Sequence, residues 1–350
     1  MIETLFITIT TIVIIYALSR GLHFIHRKID LLLRLTLLIL SLTFYLLGMT
    51  RVGGTDFENY ETYFSDPMLI PDEGFRLLAE YSGLDFSNTL ILQSAITLVA
   101  LFLLSQRLRV SFIVSFSIFL LHSAIVRDFA QSRLALAVAI LFLGLSQTKK
   151  TRRYLMYIIG ASIHLTIIYP IIMLQFINLI HTASNKKILF LILLLTVIGV
   201  YFNNNLISLL ALLDPRVDIY LSWDRAGYGL PVSDYSGLAL ACTLGIYMLW
   251  LHSKYPHELY KKLAIASLIS VSTTVVFWDT AILAHRMSHL CLIMYPFVLA
   301  QIIGLRGSVR HTSAFQPRKI DFLSILVTTS FTVIISYHVY NKGIIQSIQL

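Results

Sequence analysis

Charge is what this chain has least of. Asp, Glu, Lys and Arg make up 13% of its 350 residues, hydrophobic residues 57%, and the mean hydropathy is +0.78. So few polar side chains cannot clothe a water-soluble domain, and the composition is that of a polytopic membrane protein. Cysteine is nearly absent too. Cys242 and Cys291 both fall inside apolar runs, which leaves the exposed loops without a disulfide and excludes the Cys/His spacing of a zinc site. The chain shows no internal repeat, no low-complexity linker and no attached soluble domain, so residues 1–350 read as a single integral membrane domain. Before the first apolar run, which begins at Ile2, there is neither a basic n-region nor a clear cleavage site. That first helix is therefore expected to stay as a signal anchor.

What is present is a succession of apolar runs. A hydrocarbon core of about 30 Å asks for roughly 20 residues per helix. Candidate spans lie near 2–19, 31–50, 88–105, 111–126, 130–146, 154–166, 168–182, 188–202, 236–251, 263–279, 287–304 and 322–339. The expected fold is all-α, with about twelve transmembrane or partly re-entrant helices and outer loops near 51–87 and 203–235. The stretch 154–185 is long for one crossing and short for two. Read as a helical hairpin turning near His164 to Pro170, it puts nine arginines and nine lysines on one side, among them Arg107, Arg109, Lys149, Lys150, Lys261 and Lys262. The positive-inside rule makes that side cytoplasmic and both termini external. The net charge of +9 then belongs mainly to cytoplasmic loops facing anionic lipid headgroups, and no nucleic-acid partner is implied.

Lysine is almost missing from the other side. The outer basic residues are Arg51, Arg76, Arg127, Arg133, Arg216, Arg225 and Arg286, with Lys342 the one lysine. Guanidinium offers a planar fork of donors that fits phosphate or carboxylate oxygens. Outer acids such as Asp56, Glu58, Glu61, Asp66, Asp72, Glu73, Glu80 and Asp85 supply the plainer explanation, simple ion pairing. Arg133 is the sharpest case, because it enters the apolar run of HSAIVRDFAQSRLALAVAILFLG. An arginine in the first turn of a membrane helix is costly unless it meets water or a counter-ion. Its structural alternative is a pair with Asp128, Asp279 or an acid of the long loop.

Five segments, RVGGTDFENYETYF, DEGFRLLAEYSGLDF, RDFAQSRLALAVAIL, ASIHLTIIYP and AHRMSHLCLIMYP, taken in this order and topological placement, resemble the EpsG/Wzy-type family of bacterial polysaccharide repeat-unit polymerases. The elements that carry the resemblance are Gly54, Asp56 and Tyr60; Glu73, Gly74 and Phe75; Arg127, Arg133 and Ala137; His164; and Arg286. It covers about residues 50–300, and the chain departs from it at Leu165-Thr166, where a serine often follows the histidine.

The resemblance implies a glycosyltransferase acting on the outer face of the bacterial cytoplasmic (inner) membrane, towards the periplasm or exterior. A GT-C-like architecture is one option for its fold. A sugar hydroxyl of a polyprenyl-diphosphate-linked oligosaccharide would attack the anomeric carbon of the growing chain and release polyprenyl diphosphate. Arg133, Arg127 and Arg286 would hold the diphosphate, where charge accumulates as the bond breaks. His164, Asp56 or Glu73 would take the hydroxyl proton, and Tyr60, Arg216 and Arg225 would meet substrate. Membrane lipids, a chain-length regulator and a flippase are the implied partners.

Each site residue has a structural alternative. His164 could cap the hairpin turn, Asp56 could serve turn chemistry after Gly53 and Gly54, and Glu73-Gly74 could mark a loop-to-helix transition. The acid-x-acid pair Asp56 and Glu58 has the spacing of a divalent-ion site, but arginines neutralise diphosphate without one, and no metal or other cofactor is expected. Two rival functions remain: a transporter or flippase of lipid-linked sugars, which would more usually show repeats and midplane polar sites, and an O-antigen-ligase-like single-transfer glycosyltransferase.

Overall fold

The computed structural model describes residues 2–22, 27–50, 57–83, 85–121, 131–213, 216–223, 235–254, 257–278 and 290–304, and positions 280, 284 and 287. Every regular element among them is helical. In chain order these are α1 (Ile2–Leu22), α2 (Arg27–Met49), α3 (Phe57–Ser65), a 3-10 turn (Pro67–Leu69), α4 (Glu73–Tyr81), α5 (Phe86–Leu108), α6 (Phe112–Phe119), α7 (Ser132–Ser146) and α8 (Lys150–Ile163). A second 3-10 turn (Leu165–Ile167) leads to α9 (Ile168–Ile180), α10 (Asn185–Tyr201), α11 (Asn203–Leu213), α12 (Arg216–Trp223), α13 (Tyr235–Lys254), α14 (Glu258–Val276) and α15 (Tyr295–Gly304).

Local chemistry sets several boundaries. Asp85 Oδ1 accepts the Asn88 N–H at 2.7 Å and starts α5, Ser184 caps α10 through the Lys187 N–H, and Arg109 ends α5 in the left-handed region at φ 56°. A side-chain oxygen at the N-cap supplies an acceptor that the first helical turn lacks.

The helices are turned for an apolar surrounding. α5 buries Thr89, Gln93, Ser94, Thr97 and Ser105 while exposing Ile91, Val99, Phe102 and Leu103. α2 exposes Leu31, Leu32 and Ile39, and α10 exposes Phe190, Leu193 and Val197. A water-soluble helix does the reverse, whereas lipid solvates such apolar faces and polar groups must find partners inside. Three helices, α2, α5 and α14, are individually long and apolar enough to cross a membrane, and α10 with α11, bent by 78° at the break between them, forms a fourth candidate. Among the described residues, then, fewer crossings stand out by length than the dozen apolar runs in the sequence. The span expected near 322–339 lies outside the described residues.

Close helix contacts are made by small side chains. The described residues form two compact units, one of residues 1–167 with 296 onward, the other of residues 168–295. In the first, α2 meets α6 through a Ser41–Ser117 hydroxyl pair at 2.9 Å and the Tyr45–Phe116 rings. α7 packs between α5 and α8 with Ala135, Ala137 and Ala139 buried. A Cβ on Gly160 of α8 would lie 3.3 Å from the Ala137 carbonyl oxygen, and one on Gly144 of α7 would lie 2.9 Å from the Tyr157 ring. Backbone approach of this kind replaces the hydrophobic drive that lipid removes. In the second unit, α10 and α14 touch through Thr196 and Ser272 hydroxyls 2.6 Å apart, and Met173, Ile177, Ile188, Ile192, Ile265, Ala266 and Cys291 make a core. Lys261 donates to the Ala183 carbonyl at 2.7 Å, His181 Nε2 lies 3.4 Å from Glu258, and Lys262 pairs with the same carboxylate.

His257 starts α14: its Nδ1 accepts the Leu259 N–H at 3.2 Å. Burial pulls this imidazole below its usual range, with the nearby His252 acting in the same direction and Glu258 against it. A protonated ring cannot accept the Leu259 N–H, and the unfolded chain takes up the proton more readily. The cap is therefore fully present above the ordinary imidazole value of about 6.5 and is lost as pH falls below it through the lower folded value. Loss of an N-cap costs about 0.5–1 kcal/mol, so the unfolding midpoint of the protein in detergent should fall by about 1–3 °C between pH 7.5 and 5.5 relative to His257→Asn, whose cap does not titrate. Parallel midpoints of the two proteins across that range would refute the cap.

Candidate functional site

Arg133 is the second residue of α7, and a short polar network forms around it. Nη1 donates to Asp72 Oδ2 at 2.7 Å, with the Arg133 side chain 13% and the Asp72 side chain 4% exposed. The Tyr60 hydroxyl accepts the Arg133 N–H at 3.3 Å. The rings of Tyr60 and Tyr63 lie 5.8 and 5.2 Å from the guanidinium carbon, within the range where an aromatic face attracts a cation. Tyr60 in turn stacks on Phe86 at 5.2 Å and meets Phe75 edge-on at 6.1 Å. One wall of the charge is thus aromatic and the other is Asp72.

Asp72 precedes α4 as its N-cap residue but makes no side-chain cap bond. Its Oδ2 goes to Arg133, while Oδ1 accepts the Leu165 N–H at 3.4 Å. Leu165 opens the 3-10 turn that follows His164, the residue ending α8. His164 is buried, and its Nδ1 lies 2.9 Å from the Thr166 hydroxyl and accepts the Thr166 N–H at 3.4 Å. A neutral ring with Nδ1 accepting carries its proton on Nε2 and offers a donor there.

Gly74 is what lets these elements meet. A Cβ at that position would lie 2.4 Å from Ser162 Oγ and 2.8 Å from the Ser162 carbonyl carbon, so only a residue without a side chain lets α4 lie against the end of α8. Two residues earlier, Asp72 is brought to the turn at Leu165.

The structure places the sequence candidates unevenly. Arg133 meets both Tyr60 and Asp72, and His164 precedes Leu165, whose amide bonds to Asp72. Glu73 does not join them: it is exposed and bonded to Arg76 on the same helix. The one-residue offset follows from helix geometry, since neighbours on a helix start point about 100° apart. Asp56, Arg127, Arg225 and Arg286 lie outside the described residues, and Arg216 opens α12 with its side chain outside them. Tyr63 and the Leu165 amide were missed by sequence reasoning, and Asp72 was read only as one of several outer acids available to pair with the arginines. The further signal for Asp72 was its place in Pro-Asp-Glu-Gly-Phe, a helix-start pattern. Among the described residues no group of three or more His, Cys, Asp or Glu side chains is positioned to hold a metal ion.

Chemically, the arrangement is a cation with spare capacity. Of the five guanidinium N–H donors, one is bonded to Asp72, and Nε is buried with no hydrogen-bond partner among the described residues. A buried donor without a partner costs free energy that an incoming anion would recover.

The sequence profile of the EpsG family matches residues 32–347. The chain belongs to the EpsG family. Comparisons with curated proteins and with solved structures gave no match. EpsG membership over nearly the whole chain supports a polysaccharide-polymerase-like role of glycosyltransferase type, and with the apolar helices it supports a membrane-embedded protein. In this EpsG protein the match includes α3, α4, α7, α8 and the His164 turn.

Alanine at position 74 tests how the site is built. By helix propensity alone Gly74→Ala should stabilise α4 by about 0.5–1 kcal/mol. The clash with Ser162 should instead destabilise the protein by about 1–3 kcal/mol, seen as a lowered unfolding midpoint in detergent. A raised or unchanged midpoint would mean that α4 and α8 are not held in contact.

Proposed function

We propose that this EpsG-family protein joins polyprenyl-diphosphate-linked oligosaccharide repeat units on the outer side of the cytoplasmic membrane. The observation that supports this reading most is the buried Arg133, held by one Asp72 contact and keeping an unpartnered Nε. The distribution of charge along the helices around it adds weight. Arg133 begins α7 and His164 ends α8, while Arg107, Arg109, Lys149, Lys150, Arg152 and Arg153 cluster at the other ends of α5, α7 and α8. By the positive-inside rule the Arg133 end is external.

Helix length supports a site below the outer boundary. With 15 and 14 residues, α7 and α8 rise only about 22 Å, less than the roughly 30 Å of a hydrocarbon core. Shorter helices of this kind cross only in part, and non-helical backbone such as the His164 turn is tolerated at depth where it lines a polar cavity. An inner-leaflet-to-outer lipid carrier would present its diphosphate near that level.

In the reaction, the acceptor hydroxyl oxygen forms a bond to the anomeric carbon, and the bond from that carbon to the phosphate oxygen breaks. Its electron pair leaves on polyprenyl diphosphate. Arg133, with Arg127 and Arg286 as further diphosphate ligands, opposes that growing charge, an interaction stronger in the transition state than in the ground state. The hydroxyl proton passes to an outer carboxylate, or to Nε2 of His164 in the tautomer whose Nδ1–H is donated to the Thr166 hydroxyl. Of the candidate bases, His164 is the one linked to Arg133 among the described residues, through the Leu165 amide and Asp72. Arg216, Arg225 and Tyr60 contact the glycan, and a flippase and a chain-length regulator supply and limit the substrate.

Arg133→Lys and Arg133→Ala, expressed in cells without their own polymerase, test this. Lysine retains the charge and can pair with Asp72 but lacks the fork. Both variants, at wild-type membrane abundance, should collapse the surface glycan ladder towards single repeat units, with a loss of about 100-fold or more in polymer formed. An undiminished ladder from both would remove Arg133 from the chemistry, and accumulation of unflipped repeat unit inside the cell would favour the flippase reading.

A further inference from the structure

The Arg133 cation and the turn that carries His164 are tied to one carboxylate. Asp72 Oδ2 takes Arg133 Nη1 at 2.7 Å and Asp72 Oδ1 takes the Leu165 N–H at 3.4 Å. Asp72 is also held from behind, because the Gly74 contact with Ser162 fixes the start of α4 on the end of α8. From this geometry we propose that Asp72 is the positioning residue of the site: one carboxylate sets the place of the diphosphate-binding guanidinium relative to the His164 turn, and as an internal counter-ion it offsets part of the positive charge that a phosphate meets at the remaining donors. The proposal rests on the polymerase reading given above for the role of Arg133.

Two physical consequences separate this from an ion pair that only stabilises the fold. First, Asp72 and a phosphate compete for Arg133, so removing the carboxylate charge while keeping its shape leaves the cation freer to bind an anion. Asp72→Asn does this, since its amide oxygen still accepts the Leu165 N–H. Second, the same change loosens Arg133, so tighter anion binding coincides with slower turnover, because reacting groups are then held less well in line. An ion pair with a purely structural role predicts lower abundance with unchanged turnover per molecule.

The experiment uses the full chain. Binding of inorganic pyrophosphate to the purified protein in detergent is measured beside the glycan ladder formed in cells, normalised to membrane abundance. Asp72→Asn should bind pyrophosphate several-fold more tightly, by about fivefold, while forming polymer about tenfold more slowly. Asp72→Glu retains the charge and adds one methylene. It should keep pyrophosphate affinity within about twofold of wild type and lower polymer formation about threefold, because Arg133 shifts relative to the turn.

Wild-type polymer formation per molecule in both variants would overturn the proposal, as would weaker pyrophosphate binding by Asp72→Asn. If Asp72→Asn fails to reach the membrane, Asp72→Glu decides alone: wild-type polymer formation per molecule overturns the proposal, and a threefold loss at preserved affinity supports it. Arg133→Lys, run in parallel, distinguishes the two levels of inference. If it leaves both pyrophosphate binding and the ladder intact, the diphosphate role of Arg133 fails and this proposal fails with it. If it abolishes both while the Asp72 variants behave as wild type, only the positioning role of Asp72 is lost.

Discussion

The ion pair between Arg133 and Asp72 is the constraint on which one end of the first compact unit, where α3, α4, α7 and α8 meet, is organised. Both side chains are largely buried in a chain that offers them little other polar company. Taking two charges out of water costs several kcal/mol each, and their attraction repays this only with good geometry and further hydrogen bonds. The further bonds are present on one side and incomplete on the other. Asp72 has the Leu165 amide in addition to Arg133, whereas the guanidinium keeps a buried Nε without a partner among the described residues. The aromatic faces of Tyr60 and Tyr63 offset part of that deficit. A buried pair of this kind is often matched in stability by apolar side chains, and the open Nε of Arg133 leaves a donor available to an anion.

Three packing events must coincide for that pair to form. Tyr60 has to stand on α3 so that its hydroxyl meets the first turn of α7, and Phe75 and Phe86 hold it there. α4 has to lie on α8, which Gly74 permits. α8 has to lie on α7, which Gly160 and the alanines of α7 permit. In a lipid surrounding the hydrophobic effect does not press helices together, and backbone approach through small residues supplies the attraction. The glycine in Glu-Gly-Phe is therefore as much a part of the site as the charged residues near it, although it touches no substrate in the proposed reaction.

Much of this was legible in the sequence, and the limits have physical causes. The all-helical fold and the apolar exterior follow from composition and run length, because only helices satisfy backbone groups in lipid without a closed barrel. Arg133 was identifiable because a charge in an apolar run is costly and rarely idle, and its structural alternative, an acid of the long loop, is what the structure supplies. Which acid it would be was not legible. Asp72 and Glu73 are adjacent, both carboxylates, both at the start of α4, and only the rotation of that helix against α8 turns the first inward and the second to solvent. The break after α10 agrees with the span expected near 188–202, whereas the helix α11 (Asn203–Leu213), bent by 78° from α10, falls in what was expected to be the outer loop near 203–235.

The choice of arginine over lysine at position 133 follows from the same network. A lysine at 133 would place one point charge against Asp72 and satisfy it, leaving two donors on the same nitrogen. Guanidinium spreads its charge over a rigid plane, so Nη1 can remain on Asp72 while Nε and the far amino group face elsewhere. The plane also lies against the rings of Tyr60 and Tyr63, which fixes its direction with little further loss of side-chain freedom. A site that must hold its own counter-ion and still address a second anion needs donors pointing in more than one direction from one charge. Among natural side chains only arginine provides that, and its position in the first turn of α7 lets Nη1 stay on Asp72 while the Tyr60 and Tyr63 rings set the direction of the plane.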